Sequence, residues 1–80
     1  MNKGVLTTLD KVKLNTSCTV ININNKDNKL FNRMLDFGIV KNSVITPLYK
    51  GIFGCTVAYL IKDSVIALRK EDASSVNVII

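Results

Sequence analysis

Apolar and polar positions along this chain alternate in short runs with a period of two, and a helical spacing interrupts them once. Over residues 17–24, Cys18, Val20 and Asn22 fall on one face while Thr19, Ile21 and Ile23 fall on the other; the β-branched residues make this a strand. The polar run Asn24-Asn25-Lys26-Asp27-Asn28 ends it. Residues 30–38 change period. Leu30, Phe31, Met34, Leu35 and Phe37 gather on one helical face, Asp27 or Asn28 supplies an N-terminal cap, and Gly38 supplies the left-handed residue that stops the helix.

Period two then returns. Residues 43–50 form a second strand, in which Pro47 marks an edge or a bulge because it has no amide hydrogen for a ladder. Gly51-Ile52-Phe53-Gly54 reads as a hairpin connection. Val57, Tyr59 and Ile61 alternate with Ala58, Leu60 and Lys62 in a third strand, and Lys62-Asp63-Ser64 turns tightly into a fourth. There Ile66 and Leu68 point together and Ala67 and Arg69 point away. Glu71-Asp72-Ala73 is a single turn before a final strand of Val76, Val78 and Ile80. Five short strands with one short helix inserted after the first predict a mainly β protein, folded as a small, strongly curved barrel. Residues 1–80 show no repeat or linker and read as one domain.

Composition narrows the picture. Eighty residues, 48% of them hydrophobic, make one core and exclude a disordered tail, with little interior left for a deep catalytic pocket. The net charge of +5 comes from basic residues scattered along the chain, which reads as a solvated basic surface rather than a nucleic-acid site. Residues 1–6 lack the apolar segment of a signal peptide, and no stretch nears the roughly 20 apolar residues of a membrane span. A cytoplasmic protein that reaches a membrane only through a partner is expected. Cys18 and Cys55 each sit in an apolar stretch and are expected to be reduced, buried thiols; a disulfide would need an oxidising compartment.

No catalytic constellation is visible. Histidine is absent, Ser17-Cys18 has no base to activate it, and no phosphate-cradling G-x-x-x-x-G-K-[ST] loop occurs. The carboxylates Asp10, Asp27, Asp36, Asp63, Glu71 and Asp72 are dispersed apart from the last two, and two thiolates alone make an incomplete metal site. Neither an enzyme nor a cofactor or metal site is expected.

The segment Arg33-Met34-Leu35-Asp36-Phe37-Gly38-Ile39-Val40 resembles the "R-L-L-D-L-G-L-V" signature of the FeoA family, the small cytoplasmic accessories of the FeoB ferrous iron permease. Leu9 and Val12 resemble its opening leucines, Phe53-Gly54 falls at its hairpin glycine, Ile66-Ala67-Leu68-Arg69 resembles "L-A-L-R", and Asp72-Ala73 with Val76 and Val78 resembles its close. Arg33, Asp36, Gly38, Gly54, Leu68 and Arg69 carry the signature. Asn15 and Asn42 stand at usual glycines and tolerate a left-handed backbone; Asp63 replaces another turn glycine less comfortably. Lys41 stands at a usual proline, Gly51-Ile52 at Ala-Pro and Cys55-Thr56 at Asp-Pro. The resemblance implies an SH3-like β-barrel and a role in ferrous iron uptake through contact with the permease or its GTP-hydrolysing domain.

Ile52 and Phe53 at the hairpin tip, with Lys50 and Lys62 nearby, are the candidate partner contacts, since apolar side chains at a glycine-flanked turn are awkward to bury. Phe53 either stands out as an anchor or folds back over the barrel's open end. Arg33 and Asp36, three apart on the helix, are placed to pair across one turn. Two other readings stand beside this one. A free-standing relative of the SH3-like domain of iron-dependent repressors would share the fold. A nucleic-acid-binding barrel would use the basic charge, although Tyr49, Phe53 and Tyr59 are few and mostly claimed by the core. Exposed edge strands leave room for weak self-association, discouraged on one edge by Pro47.

Overall fold

The structure, a computed structural model, describes residues 4–24, 28–52 and 54–80, with Asn28, Leu30 and Phe31 described by backbone alone. Six antiparallel strands run in the order β1-β6-β2-β3-β4-β5: β1 (Leu6–Thr8), β2 (Cys18–Ile23), β3 (Val44–Lys50), β4 (Thr56–Ile61), β5 (Ser64–Arg69) and β6 (Val76–Ile79). Helix α1 (Asn28–Asp36) joins β2 to β3, the single turn α2 (Lys70–Ala73) joins β5 to β6, and a 3-10 turn spans Leu9–Lys11. The predicted barrel of five strands thus gains a short first strand, and the helix follows the second. β1 escapes the period-two pattern because it is only three residues long and Leu6 is 70% exposed.

The sheet wraps around one core. Leu9, Met34, Ile39, Ile45, Ala73, Val76 and Val78 have no exposed surface, and Val20, Tyr59 and Ile61 have 1% each. The alternation predicted in β4 holds at Val57, Tyr59 and Ile61, and Ile66 and Leu68 of β5 face the core together. In β2 it fails halfway. Val20 pairs with Val78, but the register shifts before Asn22, which pairs with Asn77. This bulge turns Asn22 to the outside, where its side chain accepts a hydrogen bond from the Asn77 amide, and brings Ile23 to the core opposite Val76.

Pro47 sits at a bulge and not at an edge. β3 lies between β2 and β4, and its register slips between Pro47 and Tyr49. β2 pairs only with Val44 and Ile45, so by Pro47 that flank of β3 meets a loop instead, with the Asn15 N–H donating to the Pro47 carbonyl at 2.6 Å. The sheet's edges are β1 and β5, so Pro47 guards neither.

Helix α1 ends where its sequence says it must. The Ile39 N–H donates to Met34 O and the Gly38 N–H to Leu35 O, both at 2.9 Å, with Gly38 at φ 87°. This paired closure leaves Met34 and Ile39 in apolar contact range across the stop, and both are fully buried. Leu35, predicted on the helix's apolar face, is instead 42% exposed, because the stop points Met34 inward and a neighbouring position cannot share that direction. The cap predicted at Asp27 or Asn28 lies outside the described residues and side chains. Beyond the stop, the buried Ser43 hydroxyl donates to Gly38 O and accepts from the Val40 N–H. Asn42 and Ser43 then fasten to both sides of Val20 through backbone bonds of 2.8 Å.

Asn15 and Asn42 take left-handed conformations at φ 65° and 74°, as their place at glycine positions predicts. In the β4–β5 turn the left-handed residue is Lys62, at φ 55°, and not Asp63, because Ile61 pairs with Ser64 and Lys62 therefore opens a two-residue loop.

The two cysteines differ. Cys18 is buried and its thiol lies 3.3 Å from the Ile45 carbonyl, whereas Cys55 is exposed at the foot of the hairpin, contrary to expectation. Burial lifts the Cys18 thiol from 9.0 to about 11. Burial, then the charges of Asp10 and Cys18, lifts Tyr59 from 10.0 to about 12.

Three outcomes follow for the free chain. Replacing Gly38 with alanine should lower stability by about 1–2 kcal/mol in urea unfolding, the cost of a left-handed alanine, since nothing lies within 4 Å of the added Cβ; asparagine there should cost less. A maleimide should label Cys55 at once and Cys18 only on unfolding, as read by mass spectrometry in increasing urea. Both raised groups hold their protons longer folded than unfolded. Their contribution to stability is therefore complete below pH 9.0 and is lost as pH rises through about 11 and 12, which urea midpoints at rising pH will report.

Candidate functional site

The signature residues divide by burial. Leu9, Val12, Met34, Ile39, Leu68, Ala73, Val76 and Val78 are core residues, so their spacing records how the barrel closes. Gly38 and Gly54 serve turns, the latter at φ 72° with its N–H on Gly51 O. Arg33, Asp36 and Arg69 are exposed. The ion pair among the described residues is not Arg33–Asp36 but Arg69–Glu71, at 3.7 Å and well exposed, which stabilises little in water.

The hairpin tip is built by the β3–β4 ladder. Lys50 pairs with Val57, and the Gly51 N–H donates to Thr56 O at 2.8 Å, so the turn beyond is held at its base. Ile52 stands on it at 96% exposure, the most exposed of the large apolar side chains described. Phe53 lies outside the described residues. Tyr49, expected in the core, is 59% exposed close to the tip, because the bulge after Pro47 turns it outward. The tip's exposed surface is therefore divided: Ile52 stands at its head, Tyr49 lies on one face of β3 beside Ala58 and Ile66, and Lys50 lies on the other beside Val57 and Tyr59. Lys62 does not belong to the tip. It follows the far end of β4, five residues beyond the Lys50 partner Val57, or about 17 Å at a strand rise of roughly 3.4 Å.

Lysines that look scattered in sequence meet elsewhere. Lys11 and Lys13 follow β1, Lys50 ends β3 and Lys70 begins α2, yet all four line one cleft of about 360 Å³. The fold makes this cleft by laying the 3-10 turn against α2 at the end of the barrel. The sequence hides it because the lysines come from three separate segments.

Among the described residues, no three histidine, cysteine or carboxylate side chains come together to hold a metal ion. No described helix is long and apolar enough to cross a membrane.

Comparison with known proteins sharpens these observations. A Campylobacter jejuni relative named as a candidate Fe(2+) transport protein A is 27% identical over 71 residues, which is 89% of this chain and 95% of that one. The solution structure of an FeoA-like protein from Clostridium acetobutylicum superposes with a TM-score of 0.81 at 28% identity, covering 98% of this chain and 87% of its own. The zinc complex of Stenotrophomonas maltophilia FeoA, described as an SH3 domain protein, matches at a TM-score of 0.79 and 25% identity over 90% and 88% of the two chains. A manganese-dependent transcriptional repressor shares the fold at a TM-score of 0.84, with 19% identity over 91% of this chain and 40% of the repressor. The mainly β, SH3-like architecture is thus that of these proteins. With the FeoA domain model matched across residues 7–80, and the helix stop, hairpin and closing strand of that signature all in place, the chain belongs to the FeoA family.

Proposed function

We propose that this chain is a cytoplasmic accessory of an FeoB-type ferrous iron permease and acts by protein contact at the inner face of the membrane, not by catalysis. Family membership supports the link to ferrous iron transport. The observation that carries the contact is Ile52, 96% exposed on a turn whose base is hydrogen-bonded. An isoleucine exposed to water gains about 1.5–3 kcal/mol when a partner covers it, which favours docking. Lys50 and Tyr49 precede it on opposite faces of β3, and Phe53 follows it in the sequence. The GTP-hydrolysing portion of the permease is the proposed docking partner.

A second reading has one observation in its favour. Tyr49 offers an exposed ring on a chain of net charge +5, and exposed aromatics with basic charge suit a single-stranded nucleic acid. Its mark would be oligonucleotide binding that weakens steeply with salt.

Calorimetric titration against the cytoplasmic portion of the permease, with and without guanine nucleotide, tests the main reading. Saturable binding is expected. Ile52→Ser should weaken it about tenfold or more while moving the free chain's stability by less than about 0.5 kcal/mol. Unchanged affinity in the folded variant would remove the tip from the interface, and no binding in any nucleotide state would remove docking on that portion.

A further inference from the structure

The lysine cleft has a composition of its own. Lys11, Lys13, Lys50 and Lys70 line it and are exposed. Its apolar lining is Val12, Leu14, Val57 and Tyr59; three of these are at most 7% exposed, so Leu14, 40% exposed, is the part of the apolar floor open to a ligand. One carboxylate, Asp10, also lines it and accepts a hydrogen bond from the Thr8 hydroxyl. Glu71, next to Lys70 in sequence, reaches Arg69 instead. Among the described residues none of the four lysines is in an ion pair. The cleft therefore keeps a clear excess of positive charge, and low-dielectric walls concentrate that potential in the concavity.

The chemistry of the walls selects the ligand. A free inorganic anion has no use for the apolar floor. A nucleic acid would need an exposed ring to stack on, and the aromatic residue here, Tyr59, is 1% exposed. Lysines are compact charges on flexible stems and accept carboxylates in varied geometries, whereas planar, bidentate recognition calls for arginine, which is missing from the lining. At about 360 Å³ the space lies near the lower end of ligand clefts, roughly 300–1,000 Å³, and suits a few side chains of an extended segment. We propose that this cleft binds an acidic peptide segment of the protein partner, with carboxylates on the lysine rim and an apolar side chain against Leu14. This rests on the reading of the chain as a partner-binding accessory and adds to it a second contact, of opposite chemistry to the apolar tip.

The test uses a short synthetic peptide of Asp and Glu around two leucines, titrated into the isotope-labelled chain and followed by amide chemical shifts. Saturable shifts at Lys11, Lys13, Lys50 and Lys70 are expected, with affinity falling as salt rises and falling again when serines replace the leucines. The double variant Lys13→Glu/Lys70→Glu, both sites being exposed, should keep the native spectrum and bind about tenfold more weakly. Absent shifts, shifts spread equally to Lys29, Lys41 and Lys62, unchanged affinity in the double variant, or tighter binding of a single-stranded oligonucleotide at the same lysines would each overturn the proposal. Titrating the permease portion with this variant and with Ile52→Ser separates the two readings. Loss only with Ile52→Ser keeps the tip and removes the cleft; loss only with the lysine variant keeps the cleft and removes the tip.

Discussion

The stop at the end of α1 governs how the rest of the chain is laid down. Gly38 reverses the backbone at φ 87°, and the two bonds it closes put Ile39 back against Met34 in the middle of the barrel. From that anchor Ser43 ties the loop to itself through Gly38 and Val40, while Asn42 and Ser43 bond to Val20 of β2. The register of β3 on β2 depends on those bonds, since the two strands share only the pairs Cys18–Ile45 and Thr19–Val44. β4 then follows β3 as a bulged hairpin, and β5 follows β4 as a regular one. An ordinary residue at Gly38 would strain the one turn that joins the helix to this ladder.

Two bulges shape the outside as the stop shapes the inside. The one in β2 exchanges Asn22 for Ile23 at the core, so a strand with a polar residue in phase still closes the barrel. The one after Pro47 lets a proline occupy an interior strand and turns Tyr49 outward toward the hairpin tip. An extra residue shifts the phase of every side chain beyond it, which converts a packing irregularity into a surface feature. The exposure of Tyr49 is in this sense a consequence of the bulge beside Pro47.

Core and surface divide the family signature between them. The residues that make the chain recognisable are mostly buried or in turns, and they report the fold. The surface that would meet a partner is made from positions outside it: Ile52 stands where the resemblance has a proline, and the cleft lysines belong to no motif. Shape is correspondingly shared with a manganese-dependent repressor at 19% identity, so the fold by itself does not carry the function.

Local pattern alone determined the central strands, the helix and its glycine stop, and the hairpin, because each depends on residues adjacent in the chain; the left-handed turns at Asn15 and Asn42 were legible only through the family resemblance. The inward faces of β4 and β5 were legible from local pattern as well: period two holds wherever no bulge intervenes. Tertiary structure decided the rest. Strand β1 exists only by pairing with β6, seventy residues away in contacts such as Thr7–Val78. Cys55, Tyr49 and Leu35 look like core residues by composition, yet a hairpin foot, a bulge and a helix stop put them in water. Lys62 directly follows the strand that begins near the tip, and extension carries it to that strand's far end. Four lysines from three segments become one cleft for the converse reason: curling a sheet brings distant positions together, and sequence spacing measures distance only along a strand or a helix.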